Sequence, residues 1–244
     1  MKSLAAAALL AALSACSSAD HAKQPLRAGD LRVIDAAMAS GMPQTAVTMT
    51  REILQGDPRN VPALLRQGDA LLAMGRPDAA EECYRRAQEA DPHSVDALRG
   101  LGRVELAMGQ AQEAEAAFRK AIEVAPNDAT AHNNLGITLD LQERHSEAQD
   151  AYQVALARRP GMTAAKVNLG LSLALSGATD RALAILRPLA SDPAADGRVR
   201  QNLAVALALA GDETQAGRVL AGELPQDKIG TALAGYAALR ISAK

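Results

Sequence analysis

Aromatic residues are almost missing from this 244-residue chain, which has three tyrosines, one phenylalanine and no tryptophan. A cofactor box lined with rings is therefore excluded, and the few rings present are expected to serve packing. Cysteine is just as scarce: Cys16 and Cys83 are the only two, so a disulfide framework is excluded. The four histidines, His21, His93, His132 and His145, include no pair at helical ligand spacing and none beside a cysteine, so no metal site is expected. Net basic charge is absent too. The formal charge is −2, which offers no field for nucleic acid. The chain has no glycine-rich loop followed by lysine to cradle a phosphate and no strained nucleophile turn. No catalytic residue and no cofactor is assigned, and an enzyme is not expected.

What is present is a period. Ala46, Ala80, Ala114, Ala148, Ala182 and Ala216 recur every 34 residues. Twelve residues before four of them lies a glycine: Gly68, Gly102, Gly136 and Gly170. Five residues before lies another, at Gly41, Gly75, Gly109, Gly177 and Gly211, with Glu143 as the exception. Tyr84, Phe118 and Tyr152 follow four residues after, and Pro58, Pro92, Pro126 and Pro160 follow twelve after. This period and these positions resemble the tetratricopeptide (TPR) repeat, a helix–turn–helix unit. Six copies run in phase over 27–60, 61–94, 95–128, 129–162, 163–196 and 197–230.

Each unit reads as two amphipathic helices, A (as in 63–74) and B (as in 77–90). Helices of about 13 residues are marginal alone, so their stability must come from stacking. Glycine inside helix A costs roughly 1 kcal/mol against alanine. The expected compensation is close approach of the two backbones, for example Gly102 against Ala114. The second glycine suits the left-handed residue that ends a helix, and the proline stops helix B from running on. The rings are expected to fill the wedge between units. Repeats one and six depart from the pattern, as terminal repeats do: Ile34 and Thr50 in one, Ala204 and Leu220 in the other. Pro188 should shorten or bend helix B of repeat five. A segment over 227–241, with Ile229, Leu233, Tyr236 and Leu239 at helical spacing, is read as a capping helix. The fold class is thus all-α, an elongated solenoid of six repeats with a C-terminal cap.

The first fifteen residues stand outside this pattern. Lys2 precedes an apolar run over 4–13, which is far shorter than the about 20 residues that cross a bilayer and suits a secretory signal. Leu13-Ser14-Ala15-Cys16 resembles the bacterial lipobox, whose cysteine becomes the lipid-bearing N-terminus. Ordinary cleavage beside an incidental cysteine is the alternative. Residues 16–26 then form a polar tether. The resemblance implies a triacylated Cys16 and, with Ser17 rather than aspartate following, the outer membrane on its periplasmic side. Removal of residues 1–15 takes Lys2 away and makes the formal charge −3. Cys83, on helix B beside Tyr84, is read as a partly buried, inert thiol.

The polar pattern is a ladder. Asn134, Asn168 and Asn202 recur at the period, each at the sixth position of helix A and each followed by leucine. Ile137, Leu171 and Val205 lie three residues further along the same face. In a TPR solenoid helix A lines the concave side, so amides alternating with an apolar row suit an extended peptide, the amides bonding its backbone. Alternatively the asparagines are structural. The first half carries Arg32, Arg66, Arg99 and Arg103 against Asp35 and Asp69 and is expected to prefer a charged or polar ligand. These arginines do not reproduce the carboxylate clamp of chaperone-binding TPR domains.

The C-terminal third narrows the resemblance. The run from Arg181 to Ala190, then Arg198 to Ala204, then Ala210-Gly211-Asp212 and the closing Glu223-Leu224-Pro225 look like the TadD family, TPR lipoproteins of the tight-adherence (Flp/Tad) pilus machinery. That resemblance implies a non-enzymatic scaffold that binds protein partners, such as the pilus secretin, in outer-membrane assembly. A pilotin or envelope adaptor of another secretion system, or a regulatory subunit of an envelope enzyme, fits the same architecture.

Overall fold

The computed structural model describes residues 31–242. The signal 1–15, Cys16, the tether 16–26 and residues 27–30 lie outside the described residues. Thirteen helices and no strand are found among those described. Twelve of the helices pair in sequence as A and B: α1 (Leu31–Ala39) with α2 (Pro43–Gly56), α3 (Val61–Ala73) with α4 (Pro77–Ala90), α5 (Val95–Ala107) with α6 (Ala111–Val124), α7 (Ala129–Leu141) with α8 (His145–Arg158), α9 (Thr163–Leu175) with α10 (Thr179–Ala190), and α11 (Gly197–Leu209) with α12 (Glu213–Leu220). Helix α13 (Gln226–Ser242) follows. The fold is an all-α TPR solenoid.

The punctuation works as local chemistry requires. Helices A start on Asn60, Ser94, Asp128 and Asp196, whose side chains accept from the first free backbone N–H groups. They end at Gly41, Gly75, Gly109, Gly177 and Gly211, with φ between 68° and 90°, and at Glu143, with φ of 60°. At each end the N–H three residues past the helix reaches back to a carbonyl in the last turn, as Arg76 N does to Leu71 O at 3.0 Å. Pro188 lies inside α10, which is 12 residues long against 14 for α4, α6 and α8.

Between helices A and B one pair of positions, sixteen residues apart, sets the packing. A Cβ added to Gly68, Gly102 or Gly136 would come within 2.7, 2.7 or 2.5 Å of the ring of Tyr84, Phe118 or Tyr152 respectively. The glycine therefore makes room for a ring, and not for backbone contact between Gly102 and Ala114 as the sequence suggested. Tyr84 also presses on Gly100 of the next repeat, where an added Cβ would run into its ring, so this ring does sit between units. The other repeats fill the same volume differently: Ile34 with Thr50, Gly170 with Leu186, and Ala204 with Leu220. Ile34 and Thr50 reverse the sizes across the pair, and both are fully buried. Such trades of volume keep a close-packed interior.

Successive A helices touch each other as well as their own B helix, a contact the B helices do not match. The A helices are therefore the inner, tighter wall and the B helices the outer one. At the far end α13 packs on α11 and α12, with Ile229, Leu233 and Tyr236 against the apolar cluster there, while Leu239 stays exposed.

Candidate functional site

The sixth residue of α3, α5, α7, α9 and α11 lines the pockets of the inner wall, and Arg32 holds the same place in the period in α1. The series runs Arg32, Arg66, Gly100, Asn134, Asn168, Asn202, and three residues on it runs Asp35, Asp69, Arg103, Ile137, Leu171, Val205. The wall is charged in its first half and amide-plus-apolar in its second.

In the first half the charges satisfy one another. Arg66 grips Asp35 with two bonds, Nε to Oδ1 at 2.7 Å and Nη2 to Oδ2 at 2.8 Å, and donates a third to Pro62 O. Arg103 donates to Asp69 at 2.7 Å, and the Tyr84 hydroxyl donates to the same oxygen at 2.8 Å. Arg99 bonds Asp96 on its own helix and reaches Asp128 across repeats at 3.1 Å. The hydrogen bond from Arg66 holds the Asp35 carboxyl below its usual range, with burial opposing and the guanidinium charge helping. Burial, then the Asp69 charge, push the Tyr84 phenol far above its usual range. Arg66, Arg99 and Arg103 with Asp35, Asp69 and Asp96 line a pocket of about 320 Å³ over Gly100 and the Tyr84 ring. Three cations face three anions there, so the half is polar but balanced. The expected preference for a charged ligand is thereby narrowed, because a lone charge would have to displace an existing pair.

In the second half Ile137, Leu171 and Val205 are half-buried and offer an apolar row. The asparagines do not all point freely into the groove. Asn168 donates to Asn133 at 3.0 Å, and the buried Asn133 donates to Asn134 at 3.3 Å. Asn202 makes no side-chain hydrogen bond among the described residues, and with Asn168, Val167, Val199, Asp196 and Arg198 it lines a second pocket of about 260 Å³. Asn133 and the Tyr84 hydroxyl are hydrogen-bonded to the wall residues, and the ladder alone did not single them out. Asn133 follows Arg99 at the same 34-residue interval, and that relation was the available signal.

A polar junction joins repeats four and five. Asp140 accepts from Tyr152 Oη at 2.8 Å and Ser172 Oγ at 2.7 Å, and it pairs with His145 Nδ1 at 2.8 Å. His145 is the first residue of α8. Serine and histidine both bond the carboxylate rather than each other's side chains, and Ser172 is fully buried, so this is a structural hub. Cys83 is buried, lies 3.4 Å from Gln67 Oε1, and burial pushes its thiol up to about 11, which suppresses the reactive thiolate. Among the described residues no group of three His, Cys, Asp or Glu is placed to hold a metal ion, and no helix is long and apolar enough to cross a membrane.

A tetratricopeptide repeat family model matches residues 65–129, 101–163 and 142–197, together more than half of the chain. The chain belongs to the tetratricopeptide repeat family. Solved structures agree in fold. MamA matches with 27% identity and a TM-score of 0.53, over 63% of this chain and 90% of its own. TTC0263, a thermophilic TPR protein from Thermus thermophilus, matches with 22% identity and a TM-score of 0.66, over 73% and 97%. YrrB, described as a TPR protein with an unusual peptide-binding site, matches with 21% identity and a TM-score of 0.53, over 80% and 96%. No curated protein matches the chain in sequence. The TPR architecture here is that of a protein-interaction module.

Proposed function

We propose that this TPR protein is a non-catalytic scaffold that holds an extended segment of a protein partner along its concave wall. The observation that carries the reading is the row of Ile137, Leu171 and Val205 beside Asn134, Asn168 and Asn202, with the pocket at Asn202. An apolar row takes side chains, and an amide offers both donor and acceptor to a peptide backbone. The peptide-binding site in the name of YrrB supports the reading by analogy of fold. Asn168→Ala with Asn202→Ala is expected to weaken capture of the partner from envelope extract about tenfold. Asn202→Ala alone should weaken it at a nearly unchanged melting temperature, whereas the double variant, which also unpairs the buried Asn133, should melt lower. Unchanged capture would assign the ladder to structure.

The finer reading is that of a lipoprotein scaffold in Flp/Tad pilus assembly, supporting the secretin at the outer membrane. Its support is the lipobox-like Leu13-Ser14-Ala15-Cys16 and the TadD-like run from Arg181 to Pro225. Several acyl chains on Cys16 would anchor the protein stably, where one chain binds only marginally. Cys16→Ala is expected to leave the repeats folded and move the protein from the membrane to the soluble fraction. Membrane retention of that variant would count against acylation. Co-purification of the acylated protein with a secretin, lost in the double asparagine variant, tests the pilus role.

A further inference from the structure

One residue of repeat three breaks the core register. At the matching position of helix A the other repeats carry Ala37, Leu71, Leu139, Leu173 and Leu207, which are 5, 6, 3, 1 and 1% exposed. Repeat three has Glu105 there. Its Oε2 is shut off from solvent and has no hydrogen-bond partner among the described residues. The apolar interior divides at the same place. One cluster of buried side chains runs from Ile34 to Val104 and the other from Leu139 to Leu220, with a small group around Leu98, Ala121 and Ala131 between them. A cleft of about 260 Å³ opens there on the outer side, walled by Leu98, Leu101 and Ala117.

We infer that repeat three is a proton-dependent joint, in which Glu105 closes the back of the rod when protonated and loosens it when ionised. The groups that face this carboxyl are Glu81 on α4 and Glu113 and Lys120 on α6. Helices α3 and α7 meet α5 on its other face, through the Asp69–Arg103 and Arg99–Asp128 pairs. Burial raises the Glu105 carboxyl above its ordinary 4.5, the Glu113 and Glu81 charges raise it further, and Lys120 opposes them. A raised carboxyl gives its full contribution to stability below the ordinary value, and loses it as pH rises through the folded one. The joint is therefore tight in acid and slack towards neutrality, the reverse of the paired carboxylates elsewhere in the rod. Because the opposite face of α5 carries Arg99, Gly100 and Arg103, the joint sets how firmly the two halves of the groove are held together. It does so whichever partner binds.

The test is hydrogen exchange by mass spectrometry on the full chain, corrected for intrinsic rates, in the native protein and in Glu105→Leu and Glu105→Gln. In the native protein, protection of α5 and α6 relative to α9 is expected to fall about tenfold between about pH 4 and about pH 7. Both variants should show a flat course. Glu105→Leu should also melt roughly 2–8 °C higher at neutral pH, a gap that narrows in acid. The same pH course in native protein and both variants, or a melting gap that does not change with pH, would overturn the joint. Peptide capture plays no part in this readout, so loss of the scaffold reading leaves the result interpretable.

Discussion

The two halves of the groove place different chemistry on one helical register, and each spends its polar groups differently. In the first half Asp69 lies at the inner wall, tying Arg103 and the Tyr84 hydroxyl together at 43% side-chain exposure. In the second half Asp140 lies between repeats at 16% exposure, and it ties Tyr152, Ser172 and His145 together. Three residues after the ladder position the first half has Asp35, Asp69 and Arg103, while the second has Ile137, Leu171 and Val205. Repeats stack as neighbours with no shared centre. One end of the rod is therefore held by polar links on its inner wall, while the other leaves an apolar row half-buried on the same wall. Charge on the wall is structural where it is paired, and apolar exposure marks the half left open.

The comparison can be broken most severely at a feature both halves share. Gly136→Leu forces atoms into the ring of Tyr152, already 2.5 Å from a single added Cβ. A loss of about 3 kcal/mol is expected, read as a fall in the urea midpoint. An unchanged midpoint would remove the glycine–ring fit as the basis of stacking. The two aspartates sharpen the contrast. Asp140→Ala should cost about 2–3 kcal/mol, because it strands a buried Tyr152 hydroxyl and a fully buried Ser172. Asp69→Ala should cost less, about 1–2 kcal/mol, since Arg103 can turn to water and the Tyr84 hydroxyl is the one buried group stranded. Equal losses in denaturant titrations would mean that the halves do not differ in this way. The smallest effect is expected at Glu143, whose φ of 60° is a left-handed conformation filled by glycine at the five other helix A ends. Glu143→Gly should stabilise by about 1 kcal/mol, and a lower melting temperature would show that the Glu143 side chain itself matters.

Much of the rod could be read from residue spacing, because its rules are local. A glycine that must take positive φ, a proline that ends a helix and an alanine every 34 residues each act within a few residues of themselves. That is why α4 has the bounds 77–90 that its pattern suggests. The Gly102–Ala114 contact was misjudged for the opposite reason. Helical glycine states that something comes close, and only the stacked structure shows that the something is the Phe118 ring. The ladder of Asn134, Asn168 and Asn202 was visible by period. Its link through Asn133 was not, because the bond from Asn168 to Asn133 crosses from one repeat to the previous one.

By itself the sequence determined the period, the helix ends and the all-α solenoid, since backbone propensity and short-range packing depend on nearby residues. Tertiary structure alone decided which arginines find aspartates, which ring fills which glycine, and where the interior is interrupted at Glu105. Those outcomes turn on side chains about 30 residues apart meeting across a stacked interface, where burial and distance set the energy of each charge.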